Sequence, residues 1–158
     1  MIFQSITGIW EKADLDRIVE AFAAGKSVQT IGIKGSARSF YLDQLQRHLN
    51  MPLVVICSST KRAEDTMTDL HFLSATTGLD SIVYFPTYDT EPYQGTSPHP
   101  QVSSLRMKAL WQLRQGRCRI LVVPAQAAAR YLPPVENLER SVFAIEWGDE
   151  RDPVATAA

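Results

Sequence analysis

Cysteine is scarce in this sequence, and neither Cys57 nor Cys118 has a second cysteine or a histidine at metal-ligand spacing. That excludes a disulfide framework and a cysteine-rich metal site, and it suits a reducing compartment, here expected to be the cytoplasm. Both thiols adjoin short Val/Ile/Leu runs and are expected to be buried as small apolar residues. Long apolar runs are missing as well. Leu53–Cys57 and Ile120–Pro124 are about five residues each, against the roughly 20 that a bilayer-crossing helix needs, so no membrane partner is expected. Met1–Trp10 carries neither a basic stretch nor an apolar run ending in a small-residue cleavage site, and no secretory signal is read there. Charge of one sign is also lacking. Sixteen Lys and Arg face seventeen Asp and Glu, which excludes the overall basic footprint that drives unspecific nucleic-acid binding.

What is present fits one α/β domain: 158 residues, 45% of them apolar, which is enough chain to bury a core. Leu15, Ile18, Val19 and Phe22 follow helical spacing, with Asp14 as the expected N-cap and Gly25 as the stop. Val28–Ile33 reads as a strand. Leu42, Leu45 and Leu49 line a second helix ending near Asn50-Met51-Pro52, and Leu53–Cys57 reads as a strand buried on both faces. A helix over Thr60–Thr77 is expected to be capped by Ser59 or Thr60 and stopped by Gly78, and Ile82–Phe85 is a third strand. Pro86–Pro100 contains four prolines and one glycine, which no helix or central strand tolerates. Helical spacing resumes at Val102, Leu105, Arg106, Ala109, Leu110 and Leu113. Arg119–Val123 is a fourth strand, Ala125–Leu132 a short helix closed by Pro133-Pro134, and Ser141–Glu146 a further strand. This alternation predicts a three-layer α/β fold, a mostly parallel sheet with helices on both faces. No internal repeat or low-complexity segment is present.

The segment Gly32-Ile33-Lys34-Gly35-Ser36-Ala37-Arg38-Ser39 lies between an expected strand and an expected helix, as a phosphate-binding P-loop does. Of the pattern G-x-x-x-x-G-K-[ST] it keeps Gly32 and Ser39, but Ala37 replaces the second glycine and Arg38 the lysine. A Cβ at the former position obstructs the backbone's approach to phosphate, and a planar guanidinium does not replace a compact ammonium at the latter. Gly32, Gly35, Ser36, Arg38 and Ser39 are therefore read as a vestigial phosphate loop that takes an inorganic anion at most, beside Lys34. No cofactor, metal site or catalytic residue is expected. Asp149-Glu150-Arg151-Asp152 has the letters of a helicase D-E-x-D box, but Glu146, Trp147 and Gly148 separate it from the preceding apolar run, and it reads as a solvated charge run.

Tyr84-Phe85-Pro86-Thr87-Tyr88-Asp89-Thr90-Glu91-Pro92-Tyr93, then Ser97-Pro98-His99, then Arg106 with Leu110 and Leu113, resembles the N-terminal region of bacterial transcription-repair coupling factor. The degenerate loop, Leu53–Cys57 with Ser59-Thr60-Lys61-Arg62, and Ile120–Pro124 follow in the family's order, and the likeness runs from about Gly25 to Trp147. The resemblance implies a degenerate P-loop, helicase-like (RecA-like) domain over residues 1–147. Residues 148–158 would form a tail, the truncated entry to a following domain. It also implies a non-hydrolysing scaffold within an ATP-driven DNA translocase that removes stalled RNA polymerase and recruits nucleotide excision repair. The implied partners are the other domains of the same protein, the excinuclease A component mainly through the following domain, absent here, and RNA polymerase and DNA through other absent domains. The excinuclease B component shares the fold, but it has an intact P-loop and a DNA-clamping hairpin too long for Gln94–Gln101. A true P-loop ATPase or helicase fragment related to it is the alternative reading.

Several side chains carry both a structural and a functional reading. Lys61 and Arg62 are read as exposed cations rather than nucleic-acid contacts. Arg106 is expected to face inward and pair with Asp89 or Glu91. His99 is expected to pack in its loop, Tyr88 and Tyr93 to anchor the proline-rich segment rather than stack on bases, and Trp10 and Trp147 to pack at the ends of the domain.

Overall fold

A computed structural model describes residues 12–77, 81–91 and 95–141. Three short β-branched runs become strands, and all of them are parallel: β1 (Leu53–Cys57), β2 (Ile82–Tyr84) and β3 (Ile120–Pro124), in the order β1-β3-β2. Leu53 pairs with Ile120, and Ile82 pairs with the same residue from the other side. The central strand β3 is buried along its whole length, which is why its sequence is continuously apolar rather than alternating. Strand β1 is not buried on both faces as its sequence suggests: Val54 and Ile56 are exposed, while Val55 and Cys57 pack beneath a helix. The Phe85 amide, one residue past β2, still donates to the Val122 carbonyl at 3.0 Å.

Six helices accompany these strands among the described residues: α1 (Lys12–Ala23), α2 (Ala37–Leu49), α3 (Thr60–Thr77), α4 (Pro100–Arg114), α5 (Ala125–Ala128) and α6 (Val135–Ser141). Helix α3 covers one sheet face, where Ala63 and Leu70 pack on Cys57, Ile120 and Val122. Helices α4 and α5 cover the other face, where Ala109 and Ala127 pack on Val83, Leu121 and Val123. This second cover does not extend over Val54 and Ile56, which is why those two β1 residues face outward. A third cluster joins α1 to α2 through Leu15, Tyr41 and Leu45 and reaches β1 at Leu53. His48 Nε2 lies 2.6 Å from Asp16 Oδ1 across the same helix pair. Both thiols are buried and free, as the sequence suggests. No helix among the described residues is long and apolar enough to cross a membrane.

Several boundaries follow from local chemistry. Helix α1 ends in a Schellman motif, the Lys26 amide donating to Ala21 and the Gly25 amide to Phe22, with Gly25 at φ +67°. Helix α2 ends at Asn50, whose left-handed conformation, φ +49°, places its amide on the Gln46 carbonyl. Ser59 is the cap of α3, its hydroxyl accepting the Arg62 amide. Asp14, by contrast, lies inside α1 and is not its cap.

Val28–Ile33 forms no strand. Gly32 takes φ +91°, which no extended strand continues, and Ile31 is 82% exposed. Ile33 packs against the α1–α2 cluster, and the Thr30 hydroxyl lies 3.5 Å from the Tyr41 hydroxyl of that cluster. Leu105 and Leu113 turn outward, so the inward stripe of α4 is carried by Arg106, Ala109 and Leu110. The helix after β3 stops at Ala128, short of the expected Leu132, and α6 arises unforeseen behind Pro134, whose carbonyl accepts the Asn137 and Leu138 amides. Ser141 closes α6; the rest of the expected Ser141–Glu146 strand lies outside the described residues, as do Trp10, Gly78, Tyr93, Trp147 and Asp149–Asp152.

Candidate functional site

The segment from Gly32 to Ser39 enters α2 as a tight turn rather than from a strand. Gly32 and Gly35 both have positive φ, +91° and +57°, a region closed to most side chains, so the glycines at these places are set by backbone path. The Arg38 amide donates to the Gly35 carbonyl at 3.1 Å and the Phe40 amide to the Ser36 carbonyl at 3.0 Å. A phosphate loop holds such amides open toward an anion; here the Arg38 amide is spent on the loop itself.

Ser36 stands at the N-cap of α2 but does not cap it. Its hydroxyl donates instead to Asp69 Oδ1 at 3.1 Å, and the buried Ser39 hydroxyl donates to Asp69 Oδ2 at 3.1 Å. Asp69 comes from α3, which runs alongside. Together α2, its preceding turn and α3 enclose a cleft of about 810 Å³ lined by Lys34, Gly35, Ser36, Arg38 and Ser39 on one wall and Arg62, Asp65, Thr66, Thr68 and Asp69 on the other. Four of the five residues singled out from the sequence thus line one cleft, whereas Gly32 shapes the turn from outside it. Ala37 is exposed at the first position of α2, and Arg38 and Lys34 are exposed.

Sequence reasoning singled out Arg62 but missed the rest of the α3 wall. The signal was there in the spacing: Arg62, Asp65, Thr66 and Asp69 recur at i, i+3, i+4 and i+7, a polar stripe on a helix whose opposite stripe, Ala63, Met67 and Leu70, is apolar and packs on the sheet. Lys61 forms an exposed ion pair with Asp65, Nζ to Oδ1 2.8 Å, and this pairing raises its pKa.

The proline-rich segment is organised around Arg106. Its guanidinium is buried, with neither Asp89 nor Glu91 as partner: Nη1 donates to the Pro86 carbonyl at 2.6 Å, and the group lies between the Phe85 and Tyr88 rings, 4.0 Å from each centroid. Burial lowers the Arg106 pKa and Tyr88 partly offsets that, yet an arginine stays charged throughout the physiological range. Asp89 instead accepts the His99 amide at 3.1 and 3.3 Å, and Glu91 meets Arg130 at 3.4 Å. The inward arginine is as expected; its partner is corrected, because two rings and a carbonyl already enclose the side chain. His99 is the N-cap of α4, Nδ1 accepting the Gln101 amide at 3.2 Å, with Pro100 at the first helical position. The ring thus has a structural part in its loop, as the sequence suggests. Tyr88 anchors the segment, as the sequence suggests.

Comparison with known proteins gives a consistent likeness. The chain is 28% identical over 148 residues to the transcription-repair-coupling factor of Bacillus subtilis (strain 168), covering 93% of this chain and 12% of that protein. It is 29% identical over 140 residues to that of Myxococcus xanthus, 86% of this chain and 12% of that protein. Against that of Rickettsia prowazekii (strain Madrid E) it is 32% identical over 101 residues, 63% and 9%. The sequence therefore resembles transcription-repair coupling factors along most of its length, while spanning about a tenth of the length of these curated relatives. No protein-family model and no solved structure matches.

Proposed function

We propose that this chain is the N-terminal, helicase-like domain of a transcription-repair coupling factor, and that it serves there as a scaffold that does not hydrolyse nucleotide. The domain would occupy residues 1–147, with 148–158 leading into the next. The three parallel strands among the described residues, with their flanking helices, are compatible with a degenerate P-loop fold, and the chain's likeness to coupling factors supports the family role. In the whole protein the ATP-driven movement on DNA, the contact with stalled RNA polymerase and most of the recruitment of the excinuclease A component would fall to other domains, in the cytoplasm.

The observation that carries the non-hydrolysing reading is the state of the loop. Ser39 stands where the magnesium-binding hydroxyl of a P-loop would be, and it is buried and donates to Asp69. Arg38 stands where the lysine would be, and its amide closes on Gly35. Losing one charge-assisted hydrogen bond costs about 1.5–3 kcal/mol, a factor of ten or more in affinity, and here two such contacts and the backbone cradle are lost together. Calorimetric titration of the unaltered chain with magnesium-ATP is expected to give no saturable heat, with no phosphate released over hours; Arg38→Lys alone is not expected to restore turnover. Micromolar ATP binding would overturn the scaffold reading and favour a true P-loop ATPase related to the excinuclease B component.

A further inference from the structure

The cleft between the Gly35–Ser39 turn and α3 already contains an oxyanion, and it belongs to the protein. Both oxygens of the Asp69 carboxylate are engaged, each by one hydroxyl of the turn, at 3.1 Å in both cases. Two acceptor oxygens set on two adjacent hydroxyls is the arrangement in which a phosphate or sulfate would present two of its own oxygens. Ser39, the deeper donor, is 3% exposed. Around this pair the lining carries three cations, Lys34, Arg38 and Arg62, none of which forms an ion pair among the described residues. The other lining carboxylate, Asp65, is already matched by Lys61.

We infer that Asp69 is a resident anion: the cleft is an oxyanion seat held by the protein's own carboxylate, and Asp69 is the residue that makes it refuse phosphate-bearing ligands. The inference rests on the reading of Gly32–Ser39 as a vestigial phosphate loop, and it assigns the refusal to occupancy of the seat rather than to the Ala37 and Arg38 replacements alone. A phosphate brought to these hydroxyls must displace a tethered carboxylate of the same sign, which is always present and bears no association cost. With Asp69 removed, three cations and two freed hydroxyls face a single carboxylate that Lys61 already neutralises.

The test is titration of the full chain with inorganic phosphate at low salt, followed through the backbone amide resonances of Gly35–Ser39. Asp69→Ala is expected to bind phosphate at least tenfold more tightly than the unaltered chain, and Asp69→Asn, which keeps an acceptor oxygen but not the charge, to gain less. Arg38→Ala added to Asp69→Ala is expected to cancel the gain. The inference is overturned if Asp69→Ala, folded by circular dichroism, gains nothing, if the gain survives loss of Arg38, or if Asp65→Ala gains as much as Asp69→Ala, since that would reduce the effect to net charge. These outcomes are separate from the fate of the scaffold reading. Silence toward magnesium-ATP in the unaltered chain sustains that reading whichever way the phosphate titration falls, and ATP binding there ends it.

Discussion

Replacing Arg106 tests how the proline-rich segment is held. The side chain is 3% exposed, its Nη1 hydrogen-bonds the Pro86 carbonyl at 2.6 Å, and its guanidinium stacks at 4.0 Å on both Phe85 and Tyr88. Arg106→Ala leaves the Pro86 carbonyl, on a buried residue, without its charged donor, which costs about 1.5–3 kcal/mol. It also removes two cation–π contacts, each worth about 0.5–2 kcal/mol when desolvated, and opens a cavity between the rings. Against these losses stands relief from burying an unpaired cation, which offsets a good part of them. The net expectation is a loss of about 2–4 kcal/mol, a large fraction of a small domain's stability. Arg106→Met fills the slot between the rings but cannot donate, and a loss of about 1–2 kcal/mol is expected from the orphaned carbonyl. Urea unfolding followed by far-UV circular dichroism measures both, with the fluorescence of Trp111, half-buried on the same helix, as a second probe. A variant Arg106→Ala within about 0.5 kcal/mol of the unaltered chain, or a stabilised Arg106→Met, would refute the reasoning, because desolvation would then outweigh every contact the guanidinium makes.

Burial pushes the Cys118 thiol up to about 11 from its ordinary value of 9.0. The unfolded chain therefore gives up this proton first, so the stability it contributes is full below about pH 9 and falls as pH rises toward 11, by about 3 kcal/mol at most. Melting curves of the unaltered chain and of Cys118→Ala across that range should diverge in slope; parallel curves would contradict the burial effect. At the end of α2, Asn50 holds φ +49°, so Asn50→Val should cost about 1–2 kcal/mol whereas Asn50→Gly should be near neutral. Equal stabilities for the two variants would show that the left-handed turn relaxes on substitution.

The elements legible in the sequence are those whose stability is local or whose burial is complete. Ile120–Val123 is a strand in structure as in sequence because a run with no polar face belongs where both faces are covered. Helix α3 begins where expected because the Ser59 hydroxyl meets the Arg62 amide within a single turn. Gly25 and Asn50 stop their helices through backbone bonds that span five or six residues. The parallel arrangement followed from strands alternating with helices.

Tertiary structure decided the rest, since the deciding partner lies far along the chain. Leu53–Cys57 is as apolar as the central strand, yet its place at one end of the order β1-β3-β2 leaves Val54 and Ile56 uncovered. Val28–Ile33 has strand-like composition, but a strand needs a neighbour for its ladder. These residues find none among those described, while Ile33 is drawn beneath the α1–α2 pair. Arg106 was legible as inward-facing from its helical period. Its partner was not, because the choice between a carboxylate and a slot formed by Phe85, Tyr88 and the Pro86 carbonyl depends on how the chain leaves β2. The loop's departure from the P-loop pattern was plain at Ala37 and Arg38. That a carboxylate thirty residues on from Ser39 sits against its hydroxyl was not, because a hydrogen bond between two helices is fixed by where both pack in the fold, and the sequence of neither helix records that distance.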